Sequence, residues 1–99
     1  MNILKTQEEN TLTVALEGRL DTVTAPQLEG ALRTAVNGIT ELIFDLSDLS
    51  YISSAGLRVL LSAQKVMNKQ GKMVIRNAKP EIMEIFDVTG FVDILNIEA

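Results

Sequence analysis

Residues 42–61 read LIFDLSDLSYISSAGLRVLL, and this stretch decides the fold. All but one of residues 42–46 are apolar, which is typical of a strand buried on both faces in a parallel or mixed sheet. From Ser53 onward, apolar residues recur at helical spacing until Gly71, so the pattern predicts a long helix ending at about Gln70. A buried strand followed by a long helix is the first part of a strand–helix–strand crossover.

Residues 47–52, between this strand and this helix, mix serine and aspartate with apolar side chains. Serine and aspartate favour turns because their side chains bond to nearby backbone groups. We therefore expect a loop here, held to the core by Leu49 and Ile52.

Similar patterns lie on both sides of the central stretch. Residues 11–17 alternate polar and apolar side chains, which predicts a strand. Thr24 and Gln27 have the capping-box spacing, which predicts a helix that begins near Pro26 and stops at Asn37–Gly38. Further patterns predict a strand over residues 72–76 and a helix from Lys79–Pro80 to Gly90. Residues 3–5 are a candidate edge strand, and residues 94–97 are expected to form either a last short strand or an extended tail.

The order of these elements indicates the fold class. Helices that follow strands through short connections imply crossover units and a mostly parallel sheet. We expect one α/β domain over residues 1–99, with a mixed β-sheet of about four to five strands covered by about three to four helices.

The composition excludes several functions. The 99 residues contain no Cys and no His, which removes disulfides, thiolate zinc sites, Cys nucleophiles, Ser-His-Asp triads and imidazole acid–base catalysis. The net charge of −4 lacks the basic footprint of a nucleic-acid binder. We expect no nucleic-acid partner, and an enzyme of this composition would have to work with carboxylates, Lys, Arg and hydroxyls alone.

The sequence also predicts the cellular compartment of the protein. No apolar run approaches the roughly 18 residues of a membrane span. The first ten residues include Lys5, Glu8 and Glu9 and do not resemble a signal peptide. We expect a cytoplasmic protein without direct membrane insertion.

Ser53 and Ser54 are the first candidate functional residues. A serine at a helix start ordinarily caps a backbone amide. The same position would also hold a phosphate, because unpaired amides and the helix dipole stabilise negative charge. Gly56, which has no side chain, would let the active site of a partner approach the backbone. Spacing alone leaves both interpretations open.

Three acids form the second candidate. Asp21, Asp45 and Asp48 follow or end strands, and ligands of open α/β sheets bind at this edge. They could hold Mg²⁺ in a phosphotransfer enzyme, or Asp21 and Asp48 could be turn residues. No phosphate-binding glycine motif accompanies them.

Two surfaces of the long helix complete the candidates. Arg58, Lys65 and Lys69 form a basic ridge, which is either solvated or a docking surface for an acidic partner. Three small apolar residues lie outside the main apolar face of this helix and belong either to the core or to an interface: Ala55, Val59 and Val66.

Residues 44–60 resemble the signature of STAS-domain anti-sigma factor antagonists. Residues 18–22, followed by Ala25 and Leu28, are similar to the second recurring motif of that family. The predicted order of strands and helices agrees with the family over essentially the whole chain.

The resemblance implies a partner switch. The unmodified antagonist binds an anti-sigma factor that is also a serine kinase, and so frees a sigma factor. The kinase uses ATP to phosphorylate the antagonist, which releases it, and a PP2C-type phosphatase resets the cycle. The resemblance therefore implies a protein that is a substrate of enzymes and not itself an enzyme, and we expect it to bind no cofactor or metal. STAS domains also serve as regulatory subunits of membrane transporters such as lipid-transport ATPases, which is the alternative function.

The resemblance also implies site residues. Matching Gly56–Leu57 to the family motif places the phosphoacceptor at Ser54. Ser53 stands where the family usually has Asp and is the second candidate acceptor. The residues expected to bind the partner are Asp21, Ser53, Ala55, Gly56, Arg58 and Val59.

Overall fold

Four strands and three α-helices follow one another along the chain in the computed structural model, which describes residues 1–98. A short 3₁₀ turn, Phe91–Asp93, comes last. The elements are β1 (Asn2–Glu8), β2 (Thr11–Leu20), α1 (Ala25–Ala35), β3 (Glu41–Ile52), α2 (Ser54–Gln70), β4 (Lys72–Arg76) and α3 (Pro80–Val88).

The strands form one mixed sheet in the order β1-β2-β3-β4. β1 is antiparallel to β2, whereas β2, β3 and β4 are mutually parallel. The expected closing strand is reduced to a single parallel bridge between Ile97 and Ile75. The predicted α/β class with a mixed sheet is confirmed, and the four strands and three α-helices lie within the expected ranges of four to five strands and three to four helices.

One face of the sheet carries the core. Alternate residues of β2, β3 and β4 point to this face, among them Val14, Phe44 and Ile75, which are fully buried and lie side by side in the register. All three helices contribute buried side chains to the same cluster, for example Leu28 from α1 and Phe86 from α3. α1 and α2 also pack against each other.

The loop expected over residues 47–52 is part of a strand. β3 continues to Ile52 because β2 also continues, to Leu20, and pairs with it. Two register shifts, between Ala15 and Glu17 and between Gly18 and Arg19, take up the extra residues of β3. The serine and aspartate side chains of residues 47–52 therefore lie in a strand that is interrupted by these two register shifts.

The predicted capping box at Thr24 is also wrong. Thr24 precedes α1, but its side chain makes no capping hydrogen bond. Its Oγ1 instead donates to the Arg19 carbonyl oxygen at 2.8 Å and accepts from the Asp21 amide at 2.9 Å. The side chain is thus used to close the turn between β2 and α1, and Gln27 Nε2 donates to the Met1 carbonyl oxygen.

Two glycines give a matched test of this packing. A Cβ on Gly71, which ends α2, would overlap the Thr40 backbone, whereas a Cβ on Gly30 in α1 would meet nothing within 4 Å. We expect Gly71→Ala to lose about 2 kcal/mol of unfolding free energy through this overlap. Gly30→Ala should gain about 0.5–1 kcal/mol from helix propensity. Urea unfolding followed by circular dichroism measures both, and equal effects would contradict the predicted overlap at Gly71.

Candidate functional site

The candidate site lies at the carboxyl ends of β2 and β3. Leu20 pairs with Ile52, and the Ser53 amide donates to the Leu20 carbonyl oxygen at 2.8 Å. Asp21 and Ser53 therefore leave the sheet side by side. The turn from β2 to α1 and the start of α2 form one surface.

The two serines at the start of α2 have different environments. Ser53 is the N-cap, and its Oγ accepts a hydrogen bond from the Gly56 amide at 3.3 Å. Ser54 is the first residue of α2, and it is exposed while Ser53 is half-buried. The capping interpretation thus applies to Ser53, and the Ser54 side chain lies at the surface.

Gly56 is required by packing inside the domain. A Cβ at this position would come within 2.7 Å of Leu20 Cγ and 2.9 Å of Ile52 Cγ1. Gly56 is buried, so packing inside the domain accounts for a glycine at this position without any partner. The absent side chain instead lets the first turn of α2 lie directly on the ends of β2 and β3.

The other predicted partner-binding residues of α2 differ in exposure. Arg58 is exposed and Ala55 is half-buried. Val59 is only 5% exposed and belongs to the core cluster. Val66 is 42% exposed, so of the three small apolar residues it presents the most surface. Because Gly56 and Val59 are both buried, these two residues would affect partner binding mainly through the shape that they give to the surface.

Asp21 organises the turn between β2 and α1. Its Oδ1 accepts hydrogen bonds from the amides of Thr24 at 3.1 Å and Val23 at 3.0 Å. These bonds, the Thr24 amide first, together with the Arg19 guanidinium 3.7 Å away, hold the pKa of the Asp21 carboxyl below its usual value. Arg19 also stacks on the Tyr51 ring, 4.3 Å from its centroid.

The turn presents a residue that the sequence analysis missed. Val23 is 84% exposed, directly after Asp21 and Thr22. Its amide donates to Asp21 Oδ1, so the backbone that carries this exposed apolar side chain is held in place. The signal in the sequence was an apolar residue inside a turn of polar residues.

The three acids do not form a metal site. Asp21 lies beyond the Leu20–Ile52 pair, whereas Asp45 pairs with Ala15, so the strand rise of about 3.3 Å per residue separates the two acids by roughly 20 Å. Residues 1–98 contain no group of three or more acids that could hold a metal ion. A magnesium site made of all three acids, on which the phosphotransfer alternative depended, is therefore contradicted by the structure.

Asp45 has a local structural role instead. Its Oδ1 accepts from the Ser47 amide at 3.0 Å and from Asn77 Nδ2 at 3.2 Å. Burial acts to raise the pKa of the Asp45 carboxyl, but these hydrogen bonds outweigh it and the pKa is lowered. Asp45 thus ties β3 to the residue that follows β4.

The fold is that of a small α/β domain in which the β2–α1 turn and the start of α2 share one surface. The chain belongs to the STAS domain family, whose model matches residues 2–99. A Bordetella bronchiseptica protein provisionally named anti-sigma factor antagonist BtrV is 36% identical over 98% of this chain and 85% of its own length. The anti-sigma-B factor antagonist of Bacillus subtilis is 33% identical over 100% of this chain and 92% of its own length.

Solved structures are similar over nearly the whole chain. An anti-sigma factor antagonist from Mycobacterium paratuberculosis superposes with a TM-score of 0.87 at 25% identity, covering 97% of this chain and 83% of its own. The anti-sigma factor antagonist SpoIIAA in its unphosphorylated form superposes with a TM-score of 0.78 at 19% identity, covering 99% of this chain and 88% of its own, which shows the shared fold. The Bordetella bronchiseptica and Bacillus subtilis relatives support the function of an anti-sigma factor antagonist over that of a transporter subunit. Within residues 1–98, no helix is both long and apolar enough to cross a membrane.

The different environments of the two serines predict different effects of substitution. We expect Ser53→Ala to lower the free energy of unfolding by about 1 kcal/mol, because the cap on the Gly56 amide is lost. Ser54→Ala should change it by less than about 0.5 kcal/mol, because Ser54 is exposed. Urea unfolding of both variants checks this. An equal cost at both positions would contradict the assignment of the cap to Ser53.

The lowered pKa of Asp21 predicts a pH-dependent contribution to stability. Its folded-state pKa lies below the unfolded value, so its contribution is complete above the unfolded pKa and is lost as pH falls through the folded pKa. We expect Asp21→Ala to lower Tm at pH 7 and to differ less from the wild type below about pH 4. Thermal unfolding between pH 7 and pH 2 measures this difference.

Asp48→Ala is the control for Asp21→Ala. Asp48 is an exposed acid of β3 that accepts none of the hydrogen bonds made by Asp21 in the turn between β2 and α1. A Tm difference between wild type and Asp21→Ala that stays constant down to pH 2 would show that the charge of Asp21 does not stabilise the turn.

Proposed function

We propose that this protein is an anti-sigma factor antagonist whose binding to an anti-sigma factor serine kinase is switched off by phosphorylation of Ser54. The observation that carries the choice of residue is the exposure of Ser54 at the first position of α2, beside a Ser53 whose hydroxyl is already used as the cap. Ser53 is the less accessible alternative.

The start of α2 suits a phosphoserine that leaves the fold intact. The first amides of a helix have no partner within it, and the helix dipole favours negative charge there. The first turn of α2 contains no acidic residue that would repel a phosphate. Phosphorylation adds about −1.5 to −2 charges, and the domain can hold them without unfolding.

The same charge disfavours a bound partner. A surface packed over the start of α2 would bury a phosphate dianion away from water, which costs several kcal/mol unless the ion is paired. A loss of about 3 kcal/mol lowers affinity roughly a hundredfold. The switch therefore requires no change of conformation, only a change in the charge at the centre of the interface.

Asp21 and the turn that it organises lie beside this helix start and would form the second part of the partner surface. The exposed Val23 supplies an apolar contact there, and Arg58 a charged one on α2. The family resemblance supports the same surface, since its two motifs cover the β2–α1 turn and the start of α2.

In the proposed cycle, the kinase and the phosphatase carry out the two chemical steps. The kinase transfers the γ-phosphoryl group of ATP to Ser54 Oγ, which releases ADP and the hydroxyl proton. A PP2C-type phosphatase hydrolyses the ester to phosphate. In this scheme the protein is a substrate and not an enzyme, and it acts in the bacterial cytoplasm, where sigma factors bind RNA polymerase.

Affinity capture with the unphosphorylated protein, followed by elution with ATP, tests the proposal. We expect a serine kinase to be retained, and to leave when one phosphate has formed on Ser54. Ser54→Ala should stay bound in the presence of ATP, and Ser54→Asp should bind more weakly by about tenfold or more, since it places a carboxylate at the interface. Isothermal titration with the recombinant kinase gives the affinities.

Ser47→Asp is the matched control, because it adds the same charge at an exposed serine of β3. Its affinity should equal that of the wild type. Wild-type affinity in both Ser54 variants would refute a switch at Ser54, and phosphate found on Ser53 would move the acceptor by one residue.

A further inference from the structure

Two cavities lie one after the other between α1 and α2, and we call them together the α1–α2 groove. The cavity of about 200 Å³ lies between the first turns of both helices, and the cavity of about 340 Å³ continues along their later turns. Both are lined by Glu29, Val59 and Ser62, so the groove is continuous. Its apolar lining consists mainly of Leu32, Val36, Val59, Ala63 and Val66.

A basic ridge borders this groove. At 100° per residue, Arg58, Lys65 and Lys69 lie within one narrow strip of α2, beside the strip that carries Val59 and Val66. Within residues 1–98, none of these three cations forms an ion pair with a carboxylate. α2 holds three basic residues and no acidic ones, although the whole chain has a net charge of −4. On the α1 side, Glu29 lines both parts of the groove and pairs with Arg33 at 3.6 Å. The unpaired positive charge of this otherwise acidic protein therefore lies along the α2 side of a partly apolar groove.

The groove also adjoins the proposed phosphoacceptor. Thr22 and Ala55 line its first part, and Ala55 follows Ser54 in the chain. A ligand in the groove would therefore end beside Ser54. The end of the groove beside Ser54 favours one occupant, the kinase that must reach Ser54.

We propose that the α1–α2 groove is the docking site for an acidic amphipathic helix of the anti-sigma factor kinase. This inference deepens the proposed function and rests on it. The apolar side of the helix contacts Val66 and Ala63, and its carboxylates face Arg58, Lys65 and Lys69. A helix fits better than an extended segment, because the groove walls are side chains that cannot pair the free backbone groups of a strand.

A charge reversal tests the electrostatic part. We expect Lys65→Glu to lower the affinity for the kinase by about tenfold, because the new carboxylate would face those of the partner helix. Lys5→Glu is the matched control, since it makes the same change of charge at an exposed residue of β1, and it should bind like the wild type. Raising the salt from about 0.05 to about 0.5 M should weaken wild-type binding more than that of Lys65→Glu.

A second pair of variants tests the apolar part. Val66→Asp places a carboxylate in the groove, and Val88→Asp makes the same change on α3, where Val88 is 78% exposed. We expect only Val66→Asp to lower the affinity by about tenfold or more. Thermal unfolding of each variant verifies that it is folded.

The outcomes separate this inference from the proposed function. If Lys65→Glu and Val66→Asp bind the kinase like the wild type while Ser54→Asp does not, the groove is not the docking site and the switch at Ser54 stands. If Val66→Asp changes only the self-association measured by sedimentation, a second copy of the chain occupies the groove and the inference is wrong. If no kinase binds the wild-type protein, both proposals fail together.

Discussion

The pairing of Leu20 with Ile52 at the end of two parallel strands is the constraint on which the site depends. It is extended by the hydrogen bond from the Ser53 amide to the Leu20 carbonyl oxygen. Gly56 then lets α2 lie on both residues, because any side chain there would overlap them. Without this contact, the turn held by Asp21 and the start of α2 would not share a surface.

In the proposed switch, the two adjacent serines have different roles at the helix start. A hydroxyl that caps a backbone amide is held in place, whereas a hydroxyl that a kinase must reach has to be accessible. Ser53 accepts from the Gly56 amide, and Ser54 lies exposed on the next residue. If Ser54 is the acceptor, as we propose, this arrangement keeps α2 capped both before and after phosphorylation, so the surface charge changes while the core packing stays the same.

Much of the fold could be predicted from local patterns. The apolar run of residues 42–46 and the alternation of residues 11–17 predicted strands that are observed, and the glycine at position 71 predicted the end of α2. Residues 47–52 were expected to form a loop, because their side chains favour turns. Their pairing with β2 was not predictable locally, since it depends on how far a strand distant in the sequence continues.

The sequence by itself determined the order of the elements, the exclusion of thiol and imidazole chemistry, and the candidate serines, because these follow from residue type and spacing. Only the tertiary structure decided which serine is the cap and which is exposed. It also separated Asp45 from Asp21 and joined the apolar residues of α1 and α2 into one groove. These features depend on register and on packing between elements, which residue spacing within one element does not specify.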